Sequence, residues 1–214
     1  MGKLLNGPQG QVSGLVGNNI SYMLNGQNVI RIRSKKKTRL KNLSVKQRAN
    51  CQKLAVINSL FGQILPLLKA GFANEAHGTR LNYHNVATSY NKLHALKGEY
   101  PNIVLDYPQL RISFGNLPMP LSTTVELTDE GVEIKWTYTE GEQSVSSSDQ
   151  TVILLHFPEL EESICIVYGL DRGNKAQLIS LPEAYRTAHL ETYLSFISAD
   201  RTLTATSKYL GRLN

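Results

Sequence analysis

Ser122-Thr123-Thr124-Val125-Glu126-Leu127-Thr128-Asp129-Glu130-Gly131-Val132-Glu133-Ile134-Lys135-Trp136 carries the alternation on which the reading of the chain turns. Successive side chains of a strand point to opposite faces, so Val132, Ile134 and Trp136 share one face while Glu133 and Lys135 take the other. Asp129-Glu130-Gly131 is the turn signal between strands expected at 122–127 and 131–138. Similar punctuation recurs downstream, at Glu140-Gly141-Glu142, Pro158, Asp171-Arg172-Gly173-Asn174 and Asp200-Arg201. It divides further strands at 150–157, 163–169, 175–181, 188–198 and 203–212. Short strands at this spacing predict an antiparallel β-sandwich. Around Tyr193, the residues Leu190, Leu194 and Phe196 slip in phase, which predicts a bulge.

Upstream the period changes. Ile103 and Leu105, then Leu110, Ile112 and Phe114, predict two short strands divided by Pro108, and 115–120 reads as a linker or edge segment. Ser44 as N-cap with Gln47 three residues on forms a capping box, and Leu43 is placed as the staple. Leu54, Ile57, Phe61, Ile64 and Leu68 follow as one helical stripe, with Pro66 disrupting the last turns and Gly71 as terminator. A second helix is expected over 82–96, with Val86, Tyr90 and Leu93 on its apolar side, together with Leu96 and the stem of Lys97, and Gly98 as its stop. Leu24-Asn25-Gly26-Gln27 is a tight-turn signature that joins strands 18–24 and 27–33 into a hairpin. In the second of these, Ile30 and Ile32 take one face and Arg31 and Arg33 the other. The expected fold class is therefore α+β. A basic hairpin with a two-helix region (1–107) is followed by a mainly antiparallel β-sandwich domain (108–214).

The chain has 214 residues and a net charge of +6, with 41% hydrophobic and 19% charged residues, the composition of a folded rather than disordered protein. The charge is unevenly placed. Residues 1–50 hold ten Lys or Arg and no acid, residues 51–100 contribute +3, and residues 101–214 contribute −7. Such a chain suits a polyanion at its N-terminal half, or head-to-tail pairing with copies of itself. The candidate contacts for a polyanion or partner are Arg31, Arg33, Lys35, Lys36, Lys37, Arg39 and Lys41. Three readings of this run stay open: a solvated charged face, nucleic-acid binding, and docking on an acidic protein surface, this protein's own C-terminal half included. Aromatic residues that would interleave with single-stranded bases are scarce, Tyr22 being the one nearby ring.

Residues 1–7 have no signal-peptide quality and no stretch reaches the roughly 20 apolar residues of a membrane span, so cytoplasmic residence is the default expectation. Cys51 and Cys165 are expected as two buried thiols. His77, His84, His94, His156 and His189 form no metal-ligand spacing, so neither metal nor cofactor is expected. Glu159, Glu161 and Glu162 read as a solvated turn. The glycines at 7, 10, 14 and 17 are not followed by Gly-Lys-Ser or Gly-Lys-Thr, which argues against a phosphate loop. These readings favour a non-enzymatic structural, assembly or protein-interaction role. The partner would be a second copy, as homo-oligomer or filament, or another protein, with residues 8–24 as a strand that a neighbouring sandwich edge could accept. The alternative is a nucleic-acid-binding protein using residues 31–48.

Two resemblances add to this. Trp136 in an early strand, Tyr193 in a late one and the closing Ser207-Lys208-Tyr209-Leu210-Gly211 make residues 118–214 resemble a fibronectin type III module, which implies an immunoglobulin/fibronectin III-like sandwich. Gly10-Gln11-Val12-Ser13-Gly14-Leu15-Val16-Gly17-Asn18, Asn28-Val29-Ile30-Arg31, Ser44-Val45-Lys46-Gln47-Arg48, Gly71-Phe72, Tyr100-Pro101-Asn102 and the same closing motif resemble an uncharacterised bacterial (Bacteroidota-type) family of unknown function. That resemblance spans nearly the whole chain and implies that its two halves belong together. It assigns no activity. Where relatives often carry Pro in the connector, this chain has Lys35-Lys36-Lys37.

Overall fold

Asn-Gly turn chemistry and the strands flanking it organise the N-terminal part. In the computed structural model, which describes residues 2–4, 12–24, 26–34, 43–139, 141 and 145–214, strand β3 (Asn19–Leu24) pairs with β4 (Gln27–Ile32) and Leu24 faces Gln27. Gly26 has φ 74°, the positive angle that this two-residue loop requires. β1 (Gly2–Leu4) and β2 (Gly14–Val16) extend the hairpin to an antiparallel sheet of order β1-β4-β3-β2. Gly17, at φ 59°, makes the turn that lets 14–16 fold back as a strand.

Contacts divide the chain into two units, 1–46 and 47–214. In the second, the region beyond residue 120 forms the expected sandwich. β7 (Thr123–Thr128), β8 (Gly131–Trp136) and β11 (Ala176–Ser180) make one sheet, in the order β11-β8-β7. β9 (Gln150–Phe157), β10 (Glu162–Ile166), β12 (Leu190–Ile197) and β13 (Lys208–Leu213) make the other, in the order β10-β9-β12-β13. Every pairing is antiparallel. The bulge expected near Tyr193 is present on the facing strand. The register passes from Thr192↔Gly211 to Tyr193↔Tyr209, leaving Leu210 extra, and Gly211 supplies φ 120°.

β9 and β12 are buried on both faces, and the alternation of strand side chains explains how. Ile153, Leu155, Phe157, Leu194 and Phe196 pack with Val132, Ile134 and Trp136 of the three-stranded sheet. Val152, Leu154, Tyr193 and Ile197 point the other way, into a second cluster with Ile57, Phe61, Leu68 and Phe72. The unit is thus three layers: helices, four-stranded sheet, three-stranded sheet. Each fully buried Leu, Ile or Phe contributes about 1.5–3 kcal/mol relative to exposure, so both faces are needed to hold the central strands.

The helices differ from expectation in two ways. The first predicted helix is two: α1 (Val45–Gln63) and α2 (Leu65–Ala76), bent by 105° at Ile64. Pro66 opens α2, where its missing N–H leaves no intrahelical bond unmade, so it starts a helix rather than spoiling one. Gly71 does not end a helix. It lies within α2, where a Cβ would sit 2.4 Å from the carbonyl oxygen of Ile112, and its own carbonyl accepts from the Phe114 N–H at 3.1 Å. Close backbone approach is therefore its function. α3 (Tyr83–His94) starts at Asn82, whose side chain accepts from the Asn85 N–H at 2.8 Å. It stops before Leu96–Lys97 (β5), which pairs with Val104–Leu105 (β6). No single helix among the described residues is long and apolar enough to cross a membrane.

The strand expected at 110–114 does not join a ladder. Its backbone instead bonds the helices and the segment before β13: Ile112 N–H to Ser207 Oγ (3.0 Å), Phe114 N–H to Gly71, and the Ser207 N–H to Ser113 oxygen (3.2 Å). These contacts take the place of part of a sheet ladder. The thiols also depart from expectation. Cys51 is exposed and Cys165 half-buried, both free, and burial pushes the Cys165 thiol up to about 11.

Candidate functional site

Of the basic residues singled out from sequence, Arg31 and Arg33 fall on or just beyond β4, and both are exposed. The Arg31 guanidinium lies 6.0 Å from the ring centroid of Tyr22 on the neighbouring strand, and the Arg33 N–H donates to Asn18 at 2.7 Å. Lys35, Lys36, Lys37, Arg39 and Lys41 lie outside the described residues. The sheet that carries Arg31 exposes apolar side chains on both faces, Leu15 on the face of Arg31 and Val16 with Ile32 on the other, which the sequence reading did not anticipate. Leu15 (55% exposed), Val16 (61%) and Ile32 (74%) are open, while Val29 is the one buried apolar side chain within residues 12–24 and 26–34.

In the second unit a cavity of about 400 Å³ opens between α2, α3 and the 110–114 segment. Residues that pack a helix normally point inward at helical spacing. Here the inward line of α3 is Ala87 and Asn91, both fully buried, followed by Ala95 at its C-cap. Val86, Tyr90 and Leu93, expected on its apolar side, all line the cavity, and Val86 also packs against the core. The small side chains of Ala87 and Ala95 let α3 approach the core closely and turn its bulkier stripe aside. Asn91 lies behind the cavity wall and anchors the residue that carries its cation. Its side chain donates to the Ala87 and Arg111 carbonyls (3.0 and 2.9 Å) and accepts from the Arg111 N–H (2.9 Å). This holds the Arg111 backbone, and its guanidinium lies 3.9 Å from the Tyr90 ring centroid and 5.5 Å from that of Phe114. Neither Asn91 nor Arg111 was singled out from sequence. An Asn in register with two alanines on one helix face was the available signal.

A polar cluster occupies one end of the interface between helices and sheet. His156 is 4% exposed, its Nδ1 is 2.9 Å from Ser163 Oγ, and that hydroxyl donates to Gln63 Oε1 at 2.9 Å. A hydroxyl has one proton, so Ser163 accepts from the imidazole and Nδ1 carries the hydrogen. The imidazole is therefore not arranged as a base toward this serine. Beside it, Glu191 receives the Tyr209 hydroxyl and pairs with His189 Nε2 at 2.8 Å. Burial holds His156 below the usual imidazole value. A hydrogen bond with the Glu162 backbone and the Glu191 charge oppose that shift, and His189 adds to it.

A histidine with a depressed folded pKa supports stability above its unfolded value and loses that support as pH falls toward the folded one. Stability of the wild type should therefore fall below about pH 6.5, with a slope of up to about 1.4 kcal/mol per pH unit from this group. His156→Gln should flatten that slope. Urea midpoints at pH 7.5 and 5.5 check it, and parallel slopes in the two proteins would contradict the assignment.

Among the described residues, no group of three His, Cys, Asp or Glu side chains is placed to hold a metal ion. No curated protein and no solved structure matches the chain. A family model does match, over residues 9–211, nearly the whole span and both structural units. The chain belongs to DUF6266, a family of unknown function.

Proposed function

We propose that the chain is a non-enzymatic assembly protein whose N-terminal sheet is completed by a second copy of the same chain. One observation carries this reading: within residues 12–24 and 26–34 the strands β2, β3 and β4 bury a single apolar side chain, Val29, and expose Leu15, Val16, Leu24 and Ile32. Burial of one such side chain is worth about 1.5–3 kcal/mol. Ordering the backbone costs about 1–2 kcal/mol for every residue, so a sheet of this kind calls for further apolar cover. All three residues of β2 are exposed, and its outer edge has no pairing strand among the described residues. An unpaired edge accepts a strand from another chain. Opposite charge in the two halves favours head-to-tail contact, the geometry that gives rings or filaments.

The segment read as a donor strand supplies β2 and β3 of its own sheet, so the partner adds to that edge. The order of strands β7 to β13 supports reading residues 118–214 as fibronectin type III-like, an architecture that presents strands and loops to partners. The helices cover one face of its four-stranded sheet, which directs attention to the N-terminal sheet instead.

Light scattering behind size exclusion at physiological salt should give the full chain a mass several times 23.8 kDa. Leu15→Lys with Val16→Glu should return it to the monomer mass, because both side chains are exposed and the changes charge the edge. A monomeric wild type overturns the reading. Nucleic-acid binding through Arg31, Arg33 and the lysines after them makes a different prediction. There, reversal of Lys35, Lys36 and Lys37 to Glu would abolish salt-dependent oligonucleotide binding and leave the mass unchanged.

A further inference from the structure

Three features converge on the cavity between α2 and α3. The first is its wall. Val86, Tyr90 and Leu93 form the apolar stripe of α3, yet they line an open cavity of about 400 Å³, with Leu93 75% exposed. That volume lies in the range of small-molecule sites, and Phe72 and Leu81 extend the apolar lining.

The second is Arg111. Its guanidinium carbon lies over the Tyr90 ring at 3.9 Å and 5.5 Å from the Phe114 ring centroid, cation–π contacts that use the rings rather than a hydrogen-bond acceptor. The N–H donors of a guanidinium form a planar fork that grips a carboxylate with two parallel bonds, and a ring contact takes up none of them as an acceptor would. Among the described residues no carboxylate forms an ion pair with it, although Glu75 lines the same cavity. The third is rigidity. The buried Asn91 holds the Arg111 backbone from both its N–H and its carbonyl, so the root of the cation's side chain is set by the core before any ligand arrives.

We propose that this cavity binds a small organic acid with an apolar body. Its carboxylate is taken by Arg111, and its alkyl chain or ring lies along Val86, Leu93 and Phe72. The acid supplies the two acceptors that the guanidinium edge lacks, and its body covers the stripe that the fold leaves open. This site is independent of the N-terminal sheet and of assembly through it.

The test uses the full chain with labelled Val and Leu methyl groups, titrated with octanoate, 4-phenylbutyrate and, as the uncharged control, octanamide. Saturable shifts of the Val86, Leu81 and Leu93 methyls are expected with at least one of the acids at millimolar concentration. The amide should bind at least about tenfold more weakly, because it lacks the charge that the guanidinium pairs with. Arg111→Met should weaken acid binding by a similar factor. Leu93→Asp serves where Arg111→Met fails to fold. It alters an exposed residue and sets a negative charge on the cavity wall, so it should also reduce acid binding. No saturable shift with either acid overturns the proposal, as does equal affinity for octanoate and octanamide. Wild-type acid affinity in folded Arg111→Met overturns it too.

Discussion

Replacing Arg172 by Met is expected to destabilise the protein by about 3–5 kcal/mol, the cost of breaking a buried ion pair by removing one partner. The Arg172 side chain is 1% exposed. Its Nη1 lies 3.6 Å from Asp149 Oδ2, its Nη2 donates to the Pro118 carbonyl at 2.8 Å, and its carbon is 4.6 Å from the Phe196 ring centroid. The backbone of the same residue receives the Trp136 indole N–H at 2.8 Å. One side chain therefore ties the turn before β11, the loop before β9 and the segment before β7 to the ring that closes the sandwich core. Met preserves much of the length and none of the charge, and leaves the Asp149 carboxylate buried beside the Ser146 N–H that it accepts at 3.0 Å.

The pH dependence separates this account from simple loss of packing. Burial already raises Asp149 above its ordinary value, against the pull of the Ser146 N–H and the Arg172 charge. Without Arg172 the shift upward grows. A carboxyl whose folded pKa exceeds its unfolded one contributes fully below the unfolded value and loses that contribution as pH rises through the folded one. The deficit of Arg172→Met should therefore narrow between pH 7.5 and pH 4.5, and Asp149→Asn in the same chain should recover part of it at neutral pH. Urea midpoints at the two pH values give the answer. A deficit that is the same at both would assign the loss to packing alone.

Arg172 also shows where the sequence was legible and where it was not. Asp171-Arg172-Gly173-Asn174 reads as a turn, and a turn is present, as a short 3-10 segment. Turn residues are exposed as a rule, and the inward course of this one depends on Pro118, Asp149 and Phe196, which are distant in the chain. The same distinction holds elsewhere. The Asn25-Gly26 loop and the alternation through Trp136 are local properties, and their strands form within a residue or two of expectation. The strand expected at 163–169 is shorter, ending at Ile166. Gly71 and Pro66 were read by their ordinary effects on an isolated helix. Tertiary contact decides both: Gly71 admits the Ile112 carbonyl, and Pro66 begins a helix whose Leu67, Leu68 and Phe72 are buried. Val86, Tyr90 and Leu93 have the right spacing for a core stripe. Periodicity finds an apolar face without saying whether the fold covers it, so the cavity lay beyond its reach. Of the basic set, only Arg31 and Arg33 fall among the described residues.

Asn91→Ala is expected to cost about 2–3 kcal/mol, since it removes the partners of the Arg111 N–H and carbonyl together. Alanine is the better helix former by at most about 0.7 kcal/mol, too little to offset that loss. Asn91 is fully buried, so its polar side chain persists in the core because of the bonds it makes to Ala87 and Arg111. Asn91→Leu distinguishes this from a volume effect. Leucine fills the space and cannot bond the backbone, so its stability should remain near that of the alanine variant rather than of the wild type. Amide hydrogen exchange adds a local readout, because Arg111 should lose protection in both variants while β9 and β12 retain theirs. Recovery of wild-type stability by leucine would mean that packing, not the amide, holds the 110–114 segment. The rigid placement of Arg111 in the acid site would then need another cause. Loss in both variants, with weaker octanoate binding in whichever remains folded, would tie the core amide to the cation it positions.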